Sequence, residues 1–275
     1  VSNNVEQNDA LEESKVQQLE RAKAVIAGSV PLISTPISDQ ITVSRGLYRN
    51  GEWYTTVHVK ELTGADEEAL ARVKDGLELL DAILASGTSR VGEVDLTGKP
   101  LSERQGILGE LLLGERTQIL LAIVQQTYGD NKTIKTTCDT CAHEQEIDLI
   151  LSEDFKAKPM DNPYQLTYSH VTSKGDTIEY RLATGNDQTE AVRKKGITVP
   201  EQNTIILSRC ITSFNGGLVV DPLRYARSLS MKDRSIILNA LVDNQPNVDL
   251  TLDTVCLGCG GEQHLALGWM DLFQP

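Results

Sequence analysis

Alternating apolar and polar positions over residues 41–48 and 53–59 read as two strands. Between them sits Asn50-Gly51, a pair suited to the positive φ that both central positions of a tight hairpin turn require. The chain then enters Leu62-Thr63-Gly64-Ala65-Asp66-Glu67-Glu68. Thr63 with Asp66 three residues on suits a helix start, and the acidic first turn complements the helix dipole. Leu70, Val73, Leu77, Leu80 and Leu84 recur at helical spacing, so one helix is predicted to about Ala85, ended by Gly87. Pro100-Leu101 opens another helix. Glu115-Arg116 opens an apolar run, Ile119 to Val124, which leads through a turn to the strand-like residues 133–136 and then to Cys138-Asp139-Thr140-Cys141-Ala142-His143-Glu144-Gln145.

The same series then recurs. Residues 164–168 and 177–182 form a second predicted hairpin across Lys174-Gly175, and Thr184-Gly185-Asn186-Asp187 matches Thr63 to Asp66. Helical segments follow through Ala191 and Val192 and, after Pro200, through Ile205 to Leu207. Pro222-Leu223 opens a helix as Pro100-Leu101 does. Asp233-Arg234 opens the run Ile236 to Val242, before the strand-like residues 248–252 and Cys256-Leu257-Gly258-Cys259-Gly260-Gly261-Glu262-Gln263. Each cysteine pair begins 22 residues after its arginine (residue 116 to 138, and 234 to 256). Matched residues at matched spacing argue for an internal duplication. The expected organisation is an N-terminal arm and linker over 1–39, a first repeat over 40–150, a linker over 151–163 and a second repeat over 164–275. The expected fold class is α+β: two tandem pseudo-repeats, each a β-hairpin plus helices plus a Cys-x-x-Cys β-knuckle, joined by a zinc-ribbon-like metal site.

Residues 1–28 are polar and acidic, with Val5, Leu11, Val16, Leu19, Ala22 and Ile26 at loosely helical spacing. They suit either an arm that packs on a partner or a solvated terminus. No apolar run approaches the roughly 18–20 residues of a membrane helix, and no basic segment followed by an apolar one marks a secretory signal at the start. A net charge of −13 and a pI near 4.8 weigh against a nucleic-acid-coating role, which needs a basic face. The available cations, Lys132, Lys135, Arg193, Lys194 and Lys195, are few against 39 carboxylates.

Four of the five cysteines sit in the two close pairs, a pattern that in a reducing compartment points to metal before disulfide. Two thiolates from one turn grip half of a tetrahedral shell, and the second pair supplies the rest. Cys138, Cys141, Cys256 and Cys259 are therefore the candidate ligands of one shared site. Zinc is the default ion, with an iron–sulfur cluster as the alternative that four thiolates also suit. Two separate half-sites completed by His143 or His264 are a further arrangement. Gly260 and Gly261 fit a turn whose amides point at sulfur; Ala142 and His143 fit it less well. Cys210 reads as a small buried apolar residue. Arg116 and Arg234 are expected to cap or pair with acidic neighbours, and His58 and His170 to be structural. No nucleophile and base are arranged for catalysis, and no phosphate-binding glycine loop is present, so no enzyme activity, small-molecule substrate or catalytic residue is expected.

The Leu-Thr-Gly-x-Asp entry to a helix, the Asp233-Arg234 helix, Cys256-Leu257-Gly258-Cys259-Gly260 and the tail Trp269-Met270-Asp271-Leu272-Phe273 resemble the hub-assembly proteins of the T-even-type bacteriophage baseplate, with relatives in other contractile injection systems. The likeness spans most of residues 40–273. It implies a structural or assembly subunit of a phage tail baseplate hub, located in the virion tail and assembled in the host cytoplasm, with other tail and baseplate proteins as partners. The resemblance also implies one copy of the motif series per chain, against the two counted in this one. A zinc-ribbon adaptor for protein or nucleic acid, and an iron–sulfur protein, are the competing classes.

Overall fold

The computed structural model describes residues 38–194 and 196–273; the helical arm and nearly all of the linker expected over 1–39 lie outside the described residues. Asn50 and Gly51 take φ of 54° and 87°, and the turn they make pairs Tyr48 with Trp53 across β1 (Gln40–Arg49) and β2 (Glu52–Val59). Next come α1 (Gly64–Leu70), α2 (Gly76–Gly87), β3 (Thr88–Val91), β4 (Val94–Asp95), α3 (Leu101–Leu108), α4 (Leu113–Tyr128), β5 (Asn131–Thr137) and β6 (Glu144–Ile150). After α5 (Leu151–Asp154) and β7 (Ala157–Lys158), the chain forms β8 (Tyr168–Val171), β9 (Thr177–Tyr180), α6 (Gly185–Val192), α7 (Val199–Cys210), β10 (Ile211–Phe214) and β11 (Gly217–Leu218). It closes with α8 (Pro222–Ser228), α9 (Met231–Asp243), β12 (Asn247–Val248), β13 (Thr251–Val255), β14 (Glu262–Ala266) and α10 (Trp269–Leu272).

The fold is α+β with antiparallel sheets. One four-stranded sheet runs β1-β2-β3-β4 and the other β8-β9-β10-β11, so each half passes through its strands in the same spatial order. Both halves also share the sequence strand, strand, helix, helix, strand, strand, helix, helix and a closing hairpin. By compactness the chain divides differently from its sequence order. Residues 39–123 and 157–247 form one unit, with both four-stranded sheets, and residues 124–156 and 248–273 belong to the other, with both cysteine hairpins.

The single helix predicted from residue 63 to residue 85 is two helices. Asp75 caps the second by accepting from the amides of Leu77 and Glu78, and Gly76 follows it. A side chain that satisfies two free amides stabilises a new helix start more than the preceding helix gains by running on. The apolar spacing carries across the break and hides it. In the second hairpin, Gly175 (φ 87°) makes the turn, but the first strand begins at Tyr168 rather than at residue 164.

In the larger unit each half uses the acidic residue before its arginine in the same way. Fully buried Glu115 accepts from the β1 amides of Arg45 (2.5 Å) and Gly46 (2.8 Å) and from the Leu112 amide three residues back. Burial pushes its carboxyl above the ordinary range in spite of those amides. Asp233 accepts from the Ser173 amide and hydroxyl, pairs with His170 at 3.1 Å, and accepts from the Ser230 hydroxyl three residues back. The Ser230 and His170 contacts hold its carboxyl well below the usual range. Both acids thus tie the start of a long helix to the first hairpin of their own half.

The arginines differ. Arg116 is buried against Asp81, as expected of a residue paired with an acid. Arg234 instead donates to the carbonyls of Ala226 and Pro200 and to the Thr204 hydroxyl, because α7 presents a threonine where α2 presents Asp81. His170 serves as the partner of Asp233. Cys210 lies in the apolar cluster with Ile178, Leu182, Leu207 and Ile237, and burial pushes its thiol up to about 12.

Asp187 is the most enclosed charge of the second half. It accepts from Arg181 at 2.6 and 3.0 Å, from Arg209 at 2.8 Å, and from the Thr184 amide and hydroxyl. Burial alone would raise its carboxyl, but these partners hold it below the ordinary value. A depressed folded-state pKa contributes stability that is present above the unfolded carboxylate value of about 3.9 and is lost as pH falls through the folded one. Asp187→Asn is therefore expected to cost about 2 kcal/mol or more at pH 7. Its deficit against the native chain should shrink as pH falls below about 4, where the unfolded chain's carboxylate takes up a proton before the folded one does. Urea unfolding at pH 7 and pH 3 reads both, and an equal deficit at the two pH values would contradict the assignment.

Candidate metal centre

Within the unit that holds both cysteine hairpins, β5 pairs with β6 from Asn131↔Ile150 to Thr137↔Glu144, and β13 with β14 from Thr251↔Ala266 to Val255↔Glu262. Each hairpin ends in a tight knuckle. In the first, the Cys138 amide donates to the His143 carbonyl and the Ala142 amide to the Cys138 carbonyl, both at 2.9 Å. In the second, Cys256 donates to Gly261 and Gly260 to Cys256, both at 2.8 Å. The knuckles thus have one hydrogen-bond plan. It needs a left-handed residue at the same place in each, and Gly260 (φ 72°) and Ala142 (φ 56°) fill it. Alanine carries a cost of about 1–2 kcal/mol in that conformation, which the two ladder bonds and whatever the sulfurs hold must offset.

The structure brings all four sequence-predicted cysteines together. Their sulfurs lie within 4.8 Å of one another, with Cys138 Sγ 3.9 Å from Cys259 Sγ and Cys141 Sγ 3.6 Å from Cys256 Sγ. A disulfide needs about 2.05 Å. Four sulfurs about 2.3 Å from one tetrahedral ion stand about 3.8 Å apart, so the donor set fits a single ion. Cys138 and Cys256, the first of each pair, are buried, and Cys141 and Cys259 are exposed.

Amides aimed at sulfur tune the thiols. The Gly258 amide lies 3.3 Å from Cys256 Sγ, and the amides of Cys141 and Thr140 bring Cys138 down to about 6. Cys141 goes the other way. The His143 amide pulls it down, but hydrogen bonds with Cys256, Cys259 and Cys138, together with partial desolvation of the sulfur, push it up to about 12. Four thiols this close cannot all ionise unless a cation offsets the accumulated charge. His143 and His264 are outside the ligand cluster. The His143 side chain packs on Gly258, where a Cβ would lie 2.8 Å from it, and the His264 ring pairs with Asp253. The half-site arrangement is therefore not the one formed.

Sequence reasoning missed Gln145. It is buried, its amide nitrogen donates to the Val255 carbonyl and to Gln263 Oε1, and its own Oε1 accepts from the Leu257 amide at 2.7 Å. It thereby fixes one knuckle against the other. The available signal was position, since Gln145 and Gln263 each stand seven residues after the first cysteine of their pair. Of the cations considered for nucleic acid, Lys135 pairs with Glu146, Arg193 pairs with Glu190, and Lys132 lies over the Tyr128 ring. Lys195 lies outside the described residues. Among the described residues no helix is long and apolar enough to cross a membrane.

Residues that orient metal ligands typically matter about 10–100-fold in metal affinity. Gln145→Ala should lose affinity on that scale while keeping its hairpins, as read by competition with a chromophoric chelator and by far-ultraviolet circular dichroism. Unchanged affinity would show that Gln145 does not set the site.

No curated protein and no solved structure matches the chain. A family described as T4 bacteriophage base plate protein matches residues 50–274. That match runs through both cysteine pairs. The chain belongs to the T4 bacteriophage base plate protein family.

Proposed function

We propose that the protein is a non-catalytic structural subunit of a phage baseplate hub, or of a related contractile injection machine, whose four cysteines hold one structural zinc ion. The observation that carries the zinc reading is the convergence of Cys138, Cys141, Cys256 and Cys259 at tetrahedral spacing. The family match over residues 50–274 carries the baseplate reading. A bound zinc ion would supply charge compensation and a crosslink, without redox chemistry. The shared element order and sheet order of the halves, with the matched roles of Glu115 and Asp233, support a duplicated unit. Its partners would be other tail proteins, contacted in the assembled tail.

Linking Cys141 to Cys256 closes a loop of more than one hundred residues. In the entropy model for covalent bridges, a loop that long contributes about 4–5 kcal/mol, and metal binding energy acts as folding energy in the same way. The larger unit has its own apolar cluster and does not depend on the ion for its core. Purified protein is expected to be colourless with about one zinc per chain. Cys138→Ser and Cys256→Ser should lower zinc content alike. Chelation should leave most far-ultraviolet circular dichroism in place, expand the chain in small-angle scattering and prevent entry into tail assemblies. Visible absorbance with iron would replace zinc by a cluster. Normal assembly of the stripped protein would sink the structural role of the ion.

A further inference from the structure

The two halves meet through a contact that is used only once. Residues 109–113 of the first half, between α3 and α4, lie along residues 183–186 at the start of α6. The Gly185 amide donates to the Leu111 carbonyl at 3.1 Å, the Asn186 amide to the Gly109 carbonyl at 2.7 Å, and the Leu113 amide to the Ala183 carbonyl. Leu112 bridges Thr184 and is buried in the apolar cluster of the second half. The Arg116 guanidinium lies against Gly185, where any Cβ would overlap it. Two different surfaces meet, so the contact is head-to-tail, and each half keeps one surface unused.

Both unused surfaces can be identified from their counterparts. In the first half, Thr63-Gly64-Ala65-Asp66 corresponds to Thr184-Gly185-Asn186-Asp187, and each threonine and aspartate forms the same capping box. Yet α1 buries none of its residues, whereas α6 buries Gly185, Asp187 and Ala191. The space around Gly64 is open, so nothing among the described residues calls for glycine there, although glycine is a poor helix former. Among the described residues the Gly64 and Ala65 amides have no partner, while those of Gly185 and Asn186 donate across the half-to-half contact. In the second half, Leu229-Ser230-Met231 corresponds to Leu111-Leu112-Leu113. Met231 is 86% exposed where Leu113 is packed, and Val220 before α8 is 100% exposed. Charge is biased in opposite senses: Glu61, Glu67 and Glu68 outnumber Lys60, which pairs with Asp66, at the first surface, and Arg224, Arg227 and Lys232 outnumber Asp221 at the second.

We propose that these surfaces join copies of this chain, residues 227–231 of one against residues 63–66 of the next, repeating between chains the contact that joins the halves within one. The inference rests on the equivalence of the halves and not on any place in the baseplate. Lys232 stands where Gly114 lies flat against Pro246, so the outer contact is shorter and weaker than the inner one. A head-to-tail contact closes into a ring or propagates, and does not stop at an isologous dimer.

Sedimentation velocity on the full chain, and on Gly64→Leu and Met231→Asp, tests this, with circular dichroism confirming that each folds. The native chain should self-associate increasingly with concentration, and less as salt rises. Each variant should associate at least about tenfold more weakly. Mixed, the two variants should form a one-to-one pair, because Gly64→Leu keeps the 227–231 surface and Met231→Asp keeps the 63–66 surface. A native chain monomeric at every concentration would overturn the proposal, whether residues 1–37, another protein or nothing covers α1. Association unaffected by both substitutions, or variants that do not pair when mixed, would overturn it too.

Discussion

Four sulfurs held within 4.8 Å of one another set the terms for the cysteine-bearing unit. Thiols at that spacing compete for charge, and the pull is visible in Cys138, drawn down by amides, and Cys141, driven up by its neighbours. A divalent ion bound there would remove the competition by letting all four ionise. Residues near the sulfurs shape each knuckle and its approach to the other. Gly258 leaves room for His143, Gln145 ties Leu257 and Val255 to the first hairpin, and Ala142 accepts a left-handed backbone to complete its turn. Because the two cysteine pairs lie more than one hundred residues apart in the chain, one ion held by all four would fix distant parts of it at once.

The larger unit uses a second device, also twice. A carboxylate at the start of a long helix gathers the amides or hydroxyls of a hairpin from its own half: Glu115 on β1, Asp233 on the turn after β8. The surroundings set opposite pKa directions for the two. Glu115 is enclosed with only backbone donors, and burial dominates, while Asp233 has two hydroxyls and an imidazole beside it. The arginine one residue later differs between the halves. Arg116 sits between Asp81 and Gly185, so it serves both its own half and the contact with the other, whereas Arg234 has only carbonyls and a hydroxyl of its own half.

The sequence made the site legible because metal chemistry depends on residue type and spacing. Two Cys-x-x-Cys pairs, each 22 residues after an arginine, suffice to nominate the ligands, and Asn50-Gly51 marks its turn by backbone sterics alone. What stayed hidden depends on partners far along the chain. The break at Asp75 left the apolar spacing intact. Strands β3 and β10 follow their helices without an intervening loop, so no turn residue announces them. Gln145 takes its role only from Val255 and Leu257, which come beside it from the far end of the chain. Arg234 looked like Arg116, and only the threonine at position 204 sets it apart.

The claim on which the account turns is that both cysteine pairs hold the same ion. X-ray absorption at the zinc edge of the purified, full-length protein measures the ligands directly. The account predicts four sulfur neighbours at about 2.3 Å and no nitrogen or oxygen in the first shell. Two sulfurs with histidine nitrogens or water, or an ion bound equally well after Cys256 and Cys259 are replaced, would contradict it.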